Sequence, residues 1–132
     1  MNDSSERQVQ QPLQPGRFPK AERLLKRPSF LRLTKGGKRV HTRLFLAAAL
    51  PGETTKTRLG VTVTRKVGSA VRRNRIKRLV REFFRLNRNG LPRGVDINVI
   101  AKKEAVDAEA EQLRASLKTL FVQIQGRVSS KR

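Results

Sequence analysis

The stretch "VTRKVGSAVRRNRIKRLVREFFRLNRNG", residues 63–90, decides how this chain folds, because it asks one helix to meet two opposed demands. From Arg65 to Arg88 it carries ten Lys or Arg side chains against a single acid, Glu82. Its apolar residues nevertheless recur with the period of a packed helix. With Ile76 at the origin of a helical wheel, Leu79, Val80, Phe83, Phe84 and Asn87 fall within about a quarter turn on either side, which predicts a core-facing stripe. Asn74, Lys77, Arg78, Arg81, Arg85 and Arg88 fill the opposite arc. The helix is predicted from about Ala70 to Asn87, with Gly90 and Pro92 stopping it.

Outward from this helix the chain is built of short elements. Upstream, "TRLGVTVTR" alternates, with Leu59, Val61 and Val63 on one side and Thr62 and Thr64 on the other, as in a half-buried strand. Further back, "VHTRLFLAAAL" reads as extended chain closed by Pro51-Gly52. Before it, "RLLKRPSFLRLTKGGKR" reads as a short helix holding Phe30, with Pro28 near its start and Gly36-Gly37 at its end. Downstream, "GVDINVIAKK" is a strand with Val95, Ile97 and Val99 pointing one way. The last segment, "AVDAEAEQLRASLKTLFVQI", is a helix with Asp107 near its N-cap and Leu113, Leu117, Leu120, Phe121 and Ile124 at helical spacing. Residues 1–20, rich in Gln, Pro and Ser, read as a flexible tail, and the basic residues 126–132 as a second one. Residues 21–125 then form one α+β domain with helices packed on a small sheet.

Composition narrows the function. Thirty-one Lys and Arg against ten Asp and Glu leave +21, a charge that opposes compaction until a polyanion neutralises it. The expected partner is nucleic acid. A membrane surface is disfavoured, since lipid binding needs an unpartnered apolar face and no apolar run is long enough to span a bilayer. Without Cys there is no disulfide framework, thiolate nucleophile or Cys-based zinc site. The N-terminal residues lack the basic and apolar regions of a secretory signal, so the reading is cytoplasmic.

The basic arc has a bland explanation, that charge keeps a surface helix soluble. Three features oppose it. Arg73 with Lys77, Lys77 with Arg81 and Arg81 with Arg85 are like-charged i,i+4 pairs, each unfavourable by a few tenths of a kcal/mol. Arg72, Arg73 and Arg75 crowd the positive end of the helix dipole, where a cation is disfavoured by roughly 0.3–1 kcal/mol. Most of these cations are Arg, whose planar fork grips phosphate oxygens in pairs. All three make sense if phosphate is the missing counterion. Asn74 can read a sugar hydroxyl or base edge, or equally bond nearby backbone at the helix start.

Together "RLGVTVTRKVGSAVRRNRIKRLVREFFR" resembles the signature segment of the bacterial ribonuclease P protein subunit: a strand, a basic pair, "VG.AV", then "RNRIKR..RE". The resemblance extends from about Leu24, through "LKRPSFLRLTKGG", to near Ile124. It implies the order α-β-β-β-α-β-α, a ribosomal protein S5 domain 2-like sandwich with a left-handed βαβ crossover. It implies an accessory to a catalytic RNA that removes the 5′ leader of precursor tRNA and extends to other small structured RNAs, with Mg2+ bound mainly by the RNA. By the same resemblance Arg65, Lys66, Arg73, Asn74, Arg75, Lys77, Arg78 and Arg81 would face the catalytic RNA. A cleft between the first helix and the sheet would hold the leader, lined by Phe30, Leu33, Ala48, Thr62 and Thr64. Aromatic positions of some family members fall here on Leu33 or Thr34 and on Ala48, which weakens stacking on the leader.

Catalysis by the chain itself finds little support. The only histidine, His41, has no sequence-local partner, and the acids are scattered or gathered at the start of the last helix, where capping explains them. Among rival readings, a ribosomal-type structural RNA-binding protein shares the size and charge. A DNA-binding module does not fit, because a strand rather than a first helix of a helix-turn-helix leads into the basic helix.

Overall fold

The computed structural model describes residue 23 and residues 27–52 and 54–127. Seven main elements follow in the order α1 (Arg27–Gly36), β1 (Lys38–His41), β2 (Phe45–Pro51), β3 (Arg58–Thr62), α2 (Ala70–Asn87), β4 (Val95–Ala101) and α3 (Ala110–Arg127). This is the α-β-β-β-α-β-α order of an α+β domain. Short 3-10 turns, Arg88–Gly90 and Lys103–Asp107, leave α2 and precede α3. The tail read over residues 1–20 lies outside the described residues. Of the tail read over 126–132, Gly126 and Arg127 continue α3 and the rest lies outside them.

The four strands lie in the order β1-β2-β4-β3. β1 and β2 form an antiparallel hairpin, β2 and β4 pair antiparallel over seven residues, and β3 pairs parallel to β4. A parallel pair needs a crossover connection, and α2 is that connection. One face of the sheet carries Phe45, Ala47, Ala49, Leu59, Val95, Ile97 and Val99, all buried. Against it α2 sets Ile76, Val80 and Phe84, and α3 sets the five apolar residues read from its periodicity, Leu113, Leu117, Leu120, Phe121 and Ile124. Full burial of each such side chain contributes about 1.5–3 kcal/mol. Phe83 meets Phe121 edge to face at 5.1 Å between centroids, joining the two helices. Among the described residues no helix is long and apolar enough to cross a membrane.

Three local readings change. The segment read as one extended run holds two strands, because the chain reverses at Thr42–Leu44. There Thr42 N–H donates to Phe45 O at 2.8 Å, and the Leu44 N–H donates to Ser116 Oγ of α3 at 3.2 Å. Asp107 does not cap α3. It ends the preceding 3-10 turn, and the helix instead opens with the Glu109 N–H donating to the Gln112 side chain at 2.9 Å, one half of a capping box. Asn87, assigned to the core stripe, is exposed. It is the last residue of α2, and its amide folds back to donate to Phe83 O.

Candidate nucleic-acid interface

Between β3 and α2 the chain buries Val63 and Val67 while Thr64, Arg65 and Lys66 stay exposed, so two apolar anchors present a basic pair outward. The turn is closed by the Val67 N–H donating to Thr64 O at 3.0 Å. Ser69 then caps α2 by accepting from the Arg72 N–H. Its first turn holds no acid, so nothing in the helix itself offsets the cations at the positive end of its dipole.

Along α2 the residues read as basic are distributed by the wheel. Asn74, Arg75, Arg78 and Arg81 are exposed, while Arg73 and Lys77 are half-buried at the margin of the core stripe. Asn74 lies beyond Ser69, which takes the capping role. Two arginines of α2 have carboxylate partners: Arg85 forks onto Glu82 at 2.7 and 3.3 Å, and Arg72 reaches Asp107 at 3.5 Å with both groups largely in solvent. The Glu82 carboxyl is held below its usual range, chiefly by that bond to Arg85. Among the described residues Arg65, Lys66, Arg73, Arg75, Lys77, Arg78 and Arg81 make no ion pair. Arg73 Nε is buried without a hydrogen-bond partner. The Arg81 guanidinium has its pKa lowered, first by partial desolvation and then by repulsion from Arg23, which bridges to Leu59 along β3. At any working pH it stays a cation.

The sheet's second face is a grid fixed by register. One row runs His41, Leu46, Ile100, Thr62, the next Arg39, Ala48, Asn98, Gly60, and the third Leu50, Asp96, Arg58. α1 covers the second and third rows. Leu33 packs on Ala48, with Phe30 and Leu50 beside them. Phe30 can lie on the sheet only because Gly60 has no side chain: a Cβ there would stand 2.6 Å from the ring. Leu33 and Ala48 are thereby buried against each other, at 1% and 6% exposure. Phe30, half-buried, borders the row that α1 leaves open, where Leu46, Ile100 and Thr62 are half-buried and His41 is exposed. Thr62 Oγ1 donates to Asn98 Oδ1 at 3.2 Å, and Thr64 lies beyond the strand end, exposed.

Asp96, wholly buried beneath α1, was missed by the sequence reading. Arg58 binds it through two nitrogens at 2.9 and 2.8 Å, and Arg32 of α1 at 2.8 Å. A signal existed: in "VDINVIA" the polar residues Asp96 and Asn98 alternate with apolar ones, marking a face turned away from the main core. Among the described residues no three His, Cys, Asp or Glu side chains gather where they could hold a metal ion.

Comparison with known proteins identifies the family. The chain matches the Ribonuclease P family over residues 18–125. It is 50% identical over 107 residues to the ribonuclease P protein component of Desulforapulum autotrophicum, covering 81% of this chain and 92% of that one. With the ribonuclease P protein component of Desulfatibacillum aliphaticivorans it is 56% identical over 104 residues, 79% and 88% of the two chains. Among solved structures, the RNase P protein of Staphylococcus aureus superposes with a TM-score of 0.73 at 37% identity, covering 80% of this chain and 95% of that one. The RNase P protein of Thermotoga maritima gives 0.72 at 37% identity, over 78% and 97%. Shared architecture, a match over most of the chain and identity near one half make this chain a member of the ribonuclease P protein component family.

Proposed function

We propose that this chain, as the protein subunit of ribonuclease P in the cytoplasm, binds the catalytic RNA through α2 and the turn before it. On this reading it also holds the single-stranded 5′ leader of precursor tRNA between α1 and the open row of the sheet. The observation that carries the reading is the set of seven cations, Arg65 to Arg81, that have no carboxylate partner among the described residues. The packed helix fixes the backbone from which most of these cations project, and the planar fork of each arginine lowers the ordering entropy lost per phosphate hydrogen bond.

Cleavage of the leader is assigned to the RNA, with Mg2+ bound mainly by it supplying Lewis acidity and charge neutralisation. This chain contributes electrostatics and placement. Its cations lower the repulsion between catalytic RNA and substrate, and so reduce the salt and Mg2+ needed to bring them together. Thr62 and Thr64 offer hydroxyls to the leader backbone, and Phe30 a ring edge. With Leu33 and Ala48 buried, base stacking is a smaller part of leader binding than backbone contact.

The test is reconstitution with a bacterial ribonuclease P RNA at limiting Mg2+, scoring 5′-leader removal with and without the chain. Stimulated cleavage is expected. No stimulation, with RNA binding intact, would favour a ribosomal-type structural role, and equal competition by duplex DNA would favour the DNA-binding alternative.

A further inference from the structure

α1 is the least self-sufficient element of the fold. Ten residues of helix are marginal in isolation, and only Leu33 of α1 is buried. Its position over the sheet rests on three anchors: Leu33 on Ala48, the Phe30 ring on Gly60, and the Arg32 guanidinium. Arg32 donates through one nitrogen to Asp96 at 2.8 Å and through another to Pro51 O at 3.2 Å, tying α1 to β4 and to the end of β2 at once.

Charge neutralisation does not account for Arg32. A buried carboxylate needs one well-oriented cation, and Arg58, directly opposite Asp96 in the β3–β4 register, already supplies it through two bonds. Arg58 belongs to the sheet and would hold Asp96 whether or not α1 were docked. Arg32 crosses from another layer, and its side chain is still 38% exposed. The site is also shaped to receive it: a Cβ on Gly52 would come within 2.6 Å of Asp96 Oδ1, so the absence of a side chain there leaves the carboxylate free to face both arginines. We infer that Arg32 is a positioning residue, a latch that fixes where α1 sits beside the open row of the sheet and thereby sets how tightly single-stranded RNA is held beside Phe30. This rests on the leader-binding reading above.

The experiment uses the reconstituted holoenzyme and two precursor tRNAs, one with a leader long enough to enter the cleft and one with a single-nucleotide leader. For Arg32→Met, KM for the long-leader substrate is expected to rise about tenfold, as for loss of one charge-assisted tether. KM for the short-leader substrate, kcat for both and affinity for the catalytic RNA should stay unchanged. Arg32→Lys, which retains the ion pair but not the fork, should recover part of the loss. Amide exchange should accelerate in α1 of Arg32→Met and not in β4. Unchanged discrimination between leaders in Arg32→Met would overturn the latch, as would loss of protection throughout the sheet, which would make Arg32 a determinant of the whole fold. A wild-type enzyme indifferent to leader length would instead refute the leader-binding reading beneath it.

Discussion

Salt dependence measures the RNA surface directly, because each phosphate neutralised releases counterions and steepens the response of affinity to ionic strength. If each of the seven cations without a carboxylate partner meets one phosphate, log affinity for the catalytic RNA falls with log salt at a slope of about −5 to −6. A threefold rise in salt then weakens binding a few hundredfold. Replacing Arg78 and Arg81, both exposed on the outer arc of α2, by Gln removes two contacts and flattens the slope by about 1.4–1.8, so the same rise weakens binding about 50- to 100-fold. The structure supplies its own control. Arg85 lies on the same arc but is committed to Glu82 at 2.7 Å, so the paired change Glu82→Gln with Arg85→Gln leaves net charge unaltered and removes no phosphate contact. Its slope should match wild type. Filter binding or fluorescence anisotropy across a salt series reads all three proteins. An unaltered slope in the Arg78/Arg81 variant, or an equal flattening in the Glu82/Arg85 variant, refutes the assignment of the interface to this arc.

Arg73→Met should stabilise the free protein by about 1 kcal/mol, since it removes a buried Nε without a partner and a cation from the first turn of α2, while weakening RNA binding. Urea midpoints and binding assays on the same variant check the pair, and a loss of stability would contradict it. Phe30→Ala should weaken holoenzyme binding to leader-bearing precursor more than to mature tRNA, with an accompanying stability loss of about 1–3 kcal/mol from its half-buried ring. Equal losses for the two RNAs would reduce Phe30 to an anchor of α1. For Glu82 the folded pKa lies below its ordinary 4.5, so its bond to Arg85 favours folding above that value and ceases to do so as pH falls through the folded pKa. The stability difference between wild type and Glu82→Gln should therefore be constant at neutral pH and vanish in acid. A difference persisting well below the depressed pKa would show that the bond is not its source.

The bounds of α2 were legible because its signals agree: a strong 3.6-residue period, with Gly90 and Pro92 behind it. The hairpin at Thr42–Leu44 was not. It contains no Gly, Pro, Asn or Asp, and it is held partly by Ser116, a residue of the last helix. The start of α3 was placed too early for a different reason: Asp107 precedes the apolar periodicity as a cap would, but the 3-10 turn Lys103–Asp107 takes it up and leaves the first turn to Glu109 and Gln112. In the interface, the basic arc could be read from residue types alone, whereas the cleft could not. Whether Leu33 and Ala48 face a ligand or each other depends on where α1 docks, and that involves contacts far apart in sequence, among them Arg32 meeting Asp96 across 64 positions. Long-range ion pairs leave no local trace, although the alternation of Asp96 and Asn98 with apolar neighbours marks the face on which one forms.

The strand order β1-β2-β4-β3 has a consequence for how the protein is made. β4 sits between β2 and β3 yet is the last strand to leave the ribosome, so a nascent chain that has not reached Ala101 carries a two-stranded hairpin and a lone strand with nothing to join them. Until β4 arrives, α2 lacks the complete sheet face on which Ile76, Val80 and Phe84 pack. Closure of the sheet therefore waits on a seven-residue segment, and the layer behind it is complete only when α3 follows with Leu113, Leu117, Leu120, Phe121 and Ile124, so the long-range pairings that define this fold come late.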